Sequence, residues 1–100
     1  MKIKSFLLIL IFSIISKFNI SYADEAKMNK GLEIFNETAG CAACHVLKAA
    51  GAEGNIGPNL DTVEGLNYDS VMDIVTHGLG VMPAFGEDEI LTKEEIDIVS

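Results

Sequence analysis

The chain has 100 residues, 49% of them hydrophobic, and its 15 acidic residues outnumber seven lysines, for a formal net charge of −8. A chain of this length forms one small domain. Its acidity excludes a function in binding nucleic acid or an anionic membrane surface.

Residues 1–23 are typical of a secretory signal peptide. A lysine-containing start precedes an apolar run over 5–15, and a small-x-small cleavage pattern ends at Ala23. An uncleaved membrane anchor is the alternative, but Lys17 interrupts the apolar stretch before it reaches the roughly 20 residues that a span needs. We therefore expect cleavage after Ala23, export to the periplasm, no stable membrane span in the mature protein and one domain over 24–100.

The expected mature segment is more acidic than the whole chain. It keeps four lysines against all 15 acidic residues, so that its formal charge is −11. We expect it to dock on a partner protein with a basic surface, at rates that fall as salt rises. The alternative is that the acidity only keeps a small exported protein soluble, and both can hold.

A first helix is predicted over 26–38. Leu32, Phe35 and Ala39 recur at three- and four-residue spacing and form its apolar face. Gly31 lies inside this helix, where glycine costs helix propensity, so we expect another backbone to approach closely at that position.

Directly after this helix stands Cys41-Ala42-Ala43-Cys44-His45, a C-x-x-C-H motif that is typical of covalent haem attachment. Cys41 and Cys44 are predicted to form thioethers with the haem vinyl groups, and His45 is placed to bind iron as the proximal ligand. A structural zinc site needs four ligands, but the chain has no further cysteine. A thioredoxin-like site needs a βαβ context, and no strand pattern precedes the motif. We predict one covalent haem c, with a metal or dithiol module as the alternative.

The segment 49–66 is predicted to be irregular because it contains four glycines and Pro58. So long an irregular segment is uncommon in a small domain without a functional reason, and wrapping round a haem edge would be one.

Two further helices are predicted. The second covers 68–77, with an apolar side that includes Val71, Ile74 and Val75. After a loop over 79–88, Thr92 begins a capping box that opens the last helix.

An iron bound by His45 leaves a second axial position, and a methionine there would raise the reduction potential. Met82 lies in a loop directly before Pro83, which fixes the chain direction. We therefore predict Met82 as the second axial ligand. Met28 and Met72 are predicted to fill gaps in the core.

His77 is the alternative axial ligand, which would give bis-histidine iron with a lower potential. A simpler interpretation is a cation at the C-terminal end of the second helix. The acidic residues are interpreted as solvated faces, since none forms a catalytic pair.

With these residues in place, the chain resembles the class I c-type cytochromes, specifically the small monohaem bacterial and photosynthetic ones, over nearly all of 26–100. Besides the C-x-x-C-H motif, four segments carry the resemblance: Gly31-x-x-x-Phe35, Gly57-Pro58-Asn59-Leu60, Gly80-Val81-Met82-Pro83-Ala84-Phe85 and Leu91-Thr92-x-x-Glu95-Ile96.

The resemblance implies an all-α fold in which three to four helices wrap round one haem. It implies that the carbonyl of Pro58 accepts a hydrogen bond from the proximal imidazole, that Met82 binds iron, and that the last helix crosses the first at Gly31. Two features depart from the family. The last helix usually continues two turns or more past the position of Ser100, so that either the C-terminal helix is truncated in this sequence or its crossing at Gly31 is weak. The chain also has no tryptophan or arginine.

The function that the resemblance implies is one-electron transfer by a periplasmic carrier that is not an enzyme. A compartment like the thylakoid lumen is the less favoured location. Three alternatives stay open: a cytochrome subunit of a periplasmic oxidoreductase (dehydrogenase) complex, a haem enzyme or ligand sensor with a labile Met82, and the non-haem module named above.

Overall fold

A computed structural model describes residues 22–100. Its regular structure consists of three α-helices and one two-stranded antiparallel sheet: α1 over 22–33, β1 over Val46–Leu47, β2 over Ala52–Glu53, α2 over Tyr68–His77 and α3 over Lys93–Val99. The helices agree with the predicted all-α class, whereas the sheet was not predicted. In the part of the chain that is described, no helix has the length and apolar character to cross a membrane. The basic start and apolar run of the predicted signal peptide lie outside the described residues.

The first helix does not remain α-helical to its predicted end. It changes to a π-helical turn over Ile34–Thr38, in which the backbone N–H of Ala39 donates to the carbonyl oxygen of Ile34 at 2.9 Å. A π turn is wider than an α turn and so shifts the positions that face the core. Ile34 and Phe35 are both buried, while Leu32 is 41% exposed. The predicted apolar face was therefore wrong at Leu32 and missed Ile34.

α3 crosses α1 at Gly31. A Cβ atom at Gly31 would lie 3.3 Å from the carbonyl oxygen of Ile98, which is tighter than an ordinary contact. The close approach predicted at this glycine is confirmed, and its cost in helix propensity is offset by the packing of the two helices.

Side-chain caps fix where α2 and α3 begin. Asn67 accepts a hydrogen bond from the backbone N–H of Ser70, and the Ser70 side chain accepts one from Asn67 in return. Thr92 and Glu95 make the same reciprocal pair at the start of α3. Each box satisfies backbone donors that a helix start leaves free. The predicted bounds of α2 and the predicted box of α3 are both confirmed.

The segment after the C-x-x-C-H motif is less irregular than predicted. β1 and β2 pair with Leu47 opposite Ala52, and a 3-10 turn over Lys48–Ala50 joins them. Gly51 ends this turn with φ 65°, a conformation that glycine adopts without strain. Strands of two residues are too short to produce a period in the sequence, so this sheet could not be recognised there.

One apolar cluster joins the three helices and the loop before α3. Each of its buried members is at most 7% exposed: Ile34, Val75, Phe85, Leu91 and Ile96. Met72 packs against this cluster, in agreement with its predicted core position. Met28 is 74% exposed, so its predicted core position was wrong. Met28 lines an open groove between α1 and the end of α3, where little apolar surface covers it.

The burial of Ile34 can be tested against the exposure of Leu32. We expect Ile34→Ala to lower the free energy of unfolding by about 2–5 kcal/mol, because a fully buried isoleucine is removed. Leu32→Ala, the matched control, should cost about 1 kcal/mol or less. Chemical denaturation of the two variants measures both values, and equal losses would contradict the burial of Ile34 and the exposure of Leu32.

Candidate functional site

All five residues predicted from the sequence line one cleft. It has a volume of about 570 Å³, within the range of cofactor pockets, and the five residues are Cys41, Cys44, His45, Pro58 and Met82. The structure therefore brings together side chains that lie up to 41 positions apart in the sequence.

The C-x-x-C-H motif is folded as one tight turn. It begins with Gly40 at φ 69°, and the turn Cys41–Ala43 follows. The backbone N–H groups of Cys44 and His45 both donate to the carbonyl oxygen of Cys41, at 3.1 and 3.0 Å. This shared acceptor holds both thiols and the imidazole along the cleft wall.

The two thiols are half-buried and are not joined by a disulfide. Burial raises the pKa of the Cys41 thiol, and the nearby Cys44 raises it further. Nucleophilic cysteines of dithiol redox sites have a lowered pKa, which keeps the thiolate populated. The environment of Cys41 acts in the opposite direction and argues against the dithiol alternative.

The orientation of the His45 ring is set by a hydrogen bond. Nδ1 of His45 donates to the carbonyl oxygen of Pro58 at 2.7 Å, the contact that the resemblance implied. With the proton on Nδ1, the lone pair is on Nε2, which is the tautomer needed to bind a metal through Nε2.

Two glycines let the following loop lie directly on the motif. A Cβ atom at Gly57 would lie 2.5 Å from Cε1 of His45, and one at Gly54 would lie 2.6 Å from backbone atoms of Ala43 and Cys44. The N–H of Gly57 also donates to the carbonyl oxygen of Cys44 at 2.7 Å. Gly54 was not predicted as part of the site, although glycines at every third position from Gly51 were a usable signal.

Met82 is held by a turn of its own. Leu79 and Met82 exchange two backbone hydrogen bonds, of 3.2 and 3.0 Å, and Met82 packs against the core cluster. Gly78 has φ 76°, and a Cβ atom there would lie 2.8 Å from the carbonyl oxygen of Met82. A side chain at position 78 would therefore displace the turn.

His77, the alternative axial ligand, does not line this cleft. Its Nδ1 lies 2.5 Å from Oε1 of Glu87, and the hydrogen bond to Glu87 is the main cause that raises the pKa of His77. The position at the C-terminal end of α2 agrees with the simpler interpretation of this residue as a cation.

Sequence reasoning missed the apolar residues at the mouth of the cleft. Four of them are exposed although large and hydrophobic, at 69%, 68%, 90% and 45%: Ile56, Leu79, Val81 and Ile90. We call these four the apolar rim. Their positions beside glycines or in loops gave no periodic signal.

The cleft has the chemistry that a covalent haem needs. It supplies apolar walls, two free thiols, an imidazole oriented through its Nδ1 and a thioether. Within residues 22–100, no cluster of three or more histidine, cysteine or acidic side chains is arranged to hold a metal ion.

Comparison with known proteins agrees with this chemistry. The family model described as "Cytochrome C oxidase, cbb3-type, subunit III" matches residues 26–100. The chain belongs to the class I c-type cytochromes. Among solved structures, the chain is similar to the c-type cytochrome SorU from Sinorhizobium meliloti, with 47% sequence identity. The two structures superpose with a TM-score of 0.67, and the match covers 75% of this chain and 84% of the SorU chain. A search of curated proteins found no match. As a c-type cytochrome the chain has an electron-transfer role, and its family implies covalently bound haem with iron.

The contact between Gly57 and His45 leads to a test. We expect Gly57→Ala to push the imidazole or the loop away and to weaken the hydrogen bond to Pro58, at a cost of about 1–3 kcal/mol in stability. Because that hydrogen bond tunes the basicity of the ligand, the reduction potential of the haem-loaded protein should also change.

The control for this test is Gly65→Ala. Gly65 has φ 81°, but no other atom lies within 4 Å of the position that a Cβ atom would take, so this variant carries backbone strain without a collision. It should lower stability and leave the potential unchanged. A potential that shifts equally in both variants would refute a specific role for Gly57.

Proposed function

We propose that the protein is a periplasmic one-electron carrier with a single haem c, attached through Cys41 and Cys44 and ligated by His45 and Met82. The observation that carries this proposal is that all four side chains line one cleft. The haem supplies the chemistry, a one-electron change between Fe(II) and Fe(III). The single C-x-x-C-H motif supports one haem, and the signal peptide predicted over residues 1–23 supports export.

The protein's own part begins with His45. The hydrogen bond to Pro58 fixes both the tautomer and the direction of the ring, and it makes the imidazole a stronger ligand. Gly57 lies directly against one part of the ring, at a distance that leaves no room for a Cβ atom. A ring held in this way changes little when the charge at the metal changes, which suits a carrier that must accept and release electrons quickly.

Met82 would supply a soft, neutral sulfur ligand that favours Fe(II) and raises the potential. Its turn is fixed by the hydrogen bonds to Leu79 and by contact with Gly78. Two protein ligands would leave no position for a substrate or for O₂. This supports a carrier over the alternative of a haem enzyme or ligand sensor with a labile methionine.

The apolar rim supports a docking surface at the mouth of the cleft. Exposed apolar residues that cluster at one site mark an interaction surface, and Val81 is 90% exposed. The formal charge of −8 for the whole chain favours a partner with a basic surface that surrounds an apolar centre. An electron would then cross between two closely apposed redox centres.

A second candidate is a cytochrome subunit of a periplasmic oxidoreductase complex. It is favoured by the family model, whose description is that of an oxidase subunit. Gel filtration of a native extract separates the two: elution with a larger complex supports the subunit, and elution at the size of a small monomer supports the free carrier.

The axial assignment is tested by two methionine variants of the haem-loaded protein. We expect Met82→Ala to lose the near-infrared charge-transfer band of sulfur ligation and to bind carbon monoxide when reduced. Its potential should fall by on the order of 0.1 V or more, within the roughly 0.8 V range that axial ligands cover.

The matched control for this pair is Met72→Ala. Met72 packs against the core cluster and does not line the cleft, so its truncation should lower stability by about 2 kcal/mol and leave band and potential nearly unchanged. Equal potentials in wild type and Met82→Ala would contradict sulfur ligation. A protein without a haem absorption band after expression with haem-maturation machinery would refute the carrier function.

The acidic field can be tested without knowing the partner. We expect oxidation or reduction by a small cationic metal complex to slow by about tenfold or more as ionic strength rises from about 0.01 M to about 1 M, because the Debye length shrinks from about 30 Å to about 3 Å. An anionic complex of similar potential is the control, and its rate should rise over the same range. Rates that do not respond to salt for either complex would exclude electrostatic steering.

A further inference from the structure

The loop that carries Met82 is closed at its base against the end of α2. The backbone N–H of Phe85 donates to the carbonyl oxygen of Val75 at 2.9 Å, and those of Gly86 and Glu87 both donate to the carbonyl oxygen of Thr76, at 3.2 and 3.0 Å. These bonds do not depend on pH. They bring the side chain of residue 87 to the last residue of the helix.

One charge-dependent contact closes the same base. Nδ1 of His77 lies 2.5 Å from Oε1 of Glu87, and Nε2 of His77 lies 3.7 Å from Oδ1 of Asp73. Asp73 belongs to α2 itself, so that His77–Glu87 is the one ion pair within residues 22–100 that spans from this helix to the loop. We call this pair the clasp. All three side chains are more than half exposed.

We propose that the clasp is a positioning device that holds the Met82 loop against α2 and loosens it when His77 loses its proton. The proposal rests on the axial role of Met82 given above. His77 and Glu87 are each five positions from Met82, and neither lines the cleft. They therefore act on the ligand only through the loop between them.

The direction of the pH effect follows from the pKa of His77. The hydrogen bond to Glu87 raises this pKa above its ordinary value of 6.5, and the negative charges of Glu87 and Asp73 raise it further. The charged pair is therefore complete below 6.5, and its contribution is lost as pH rises through the raised pKa. Two carboxylates face His77, Asp73 from α2 and Glu87 from the loop. Asp73 supports the charged form of His77 without bridging to the loop.

The effect has an upper bound because the pair is exposed. Exposed ion pairs contribute little, so the clasp can change the equilibrium or rate of loop opening by about fivefold at most. A change of this size alters how readily Met82 can be displaced without altering which ligand is bound at rest.

The test compares the haem-loaded wild type with Glu87→Gln and His77→Gln. The first readout is amide hydrogen exchange of the segment 78–87 at about pH 6, where His77 is charged. The second is the rate at which carbon monoxide displaces Met82 in the reduced protein between about pH 5.5 and about pH 8.5. Asp88→Asn is the matched control, because it removes one negative charge from the adjacent position.

We expect both clasp variants to exchange faster than wild type at about pH 6, and to bind carbon monoxide at a higher rate that does not change over this range. The wild type should reach the rate of these variants at the upper end of the pH range, and Asp88→Asn should keep the wild-type profile.

Unchanged amide exchange in Glu87→Gln would refute the clasp and leave the axial assignment intact. Faster exchange with an unchanged carbon monoxide rate would refute its effect on Met82. If the wild type binds carbon monoxide as fast as Met82→Ala does, the axial assignment of Met82 is refuted. The proposed effect of the clasp on that ligand is then refuted as well.

Discussion

The hydrogen bond from His45 to the carbonyl oxygen of Pro58 is the contact on which the cleft depends. It can form only where the chain reverses after the C-x-x-C-H motif and returns to it. The pairing of β1 with β2 makes that reversal. Gly54 and Gly57 then let the returning loop lie on the motif at distances that no Cβ atom would permit. This two-stranded sheet of four residues therefore matters beyond its size, because it returns the loop that orients the imidazole of His45, the proposed iron ligand.

The other predicted ligand reaches the cleft by a separate route. Met82 is positioned by a turn that follows α2, and the core cluster ties this part of the chain to the π-helical turn before the motif. Ile34 from that turn and Phe85 from the Met82 loop are both members of the cluster. The relative placement of the two predicted ligands therefore depends on packing within this cluster, much of it between residues that do not line the cleft.

Some of this architecture could be predicted from the sequence because its signals are local. The C-x-x-C-H motif, the capping boxes and the apolar side of α2 each occupy a few neighbouring residues. The π-helical turn was missed because an α period was assumed throughout, and the exposed position of Met28 was missed because methionine was assigned to the core by residue type. The contact between Gly57 and His45 depends on the returning loop, so only its glycine pattern was visible beforehand.

Folding and cofactor attachment draw on the same surfaces. In the described part of the chain seven apolar side chains are buried, which is a small core for a domain that must stand alone. Phe85 belongs to that core and also lines the cleft, and Met82 packs against the core from the same loop. A haem bound in the cleft would extend the core across these shared residues and would join, through two thioethers and two axial ligands, segments that the protein alone connects only by packing. Stability and electron transfer would then meet at the residues that the core and the cleft share, so that a substitution at Phe85 should disturb the ligands as well as the core.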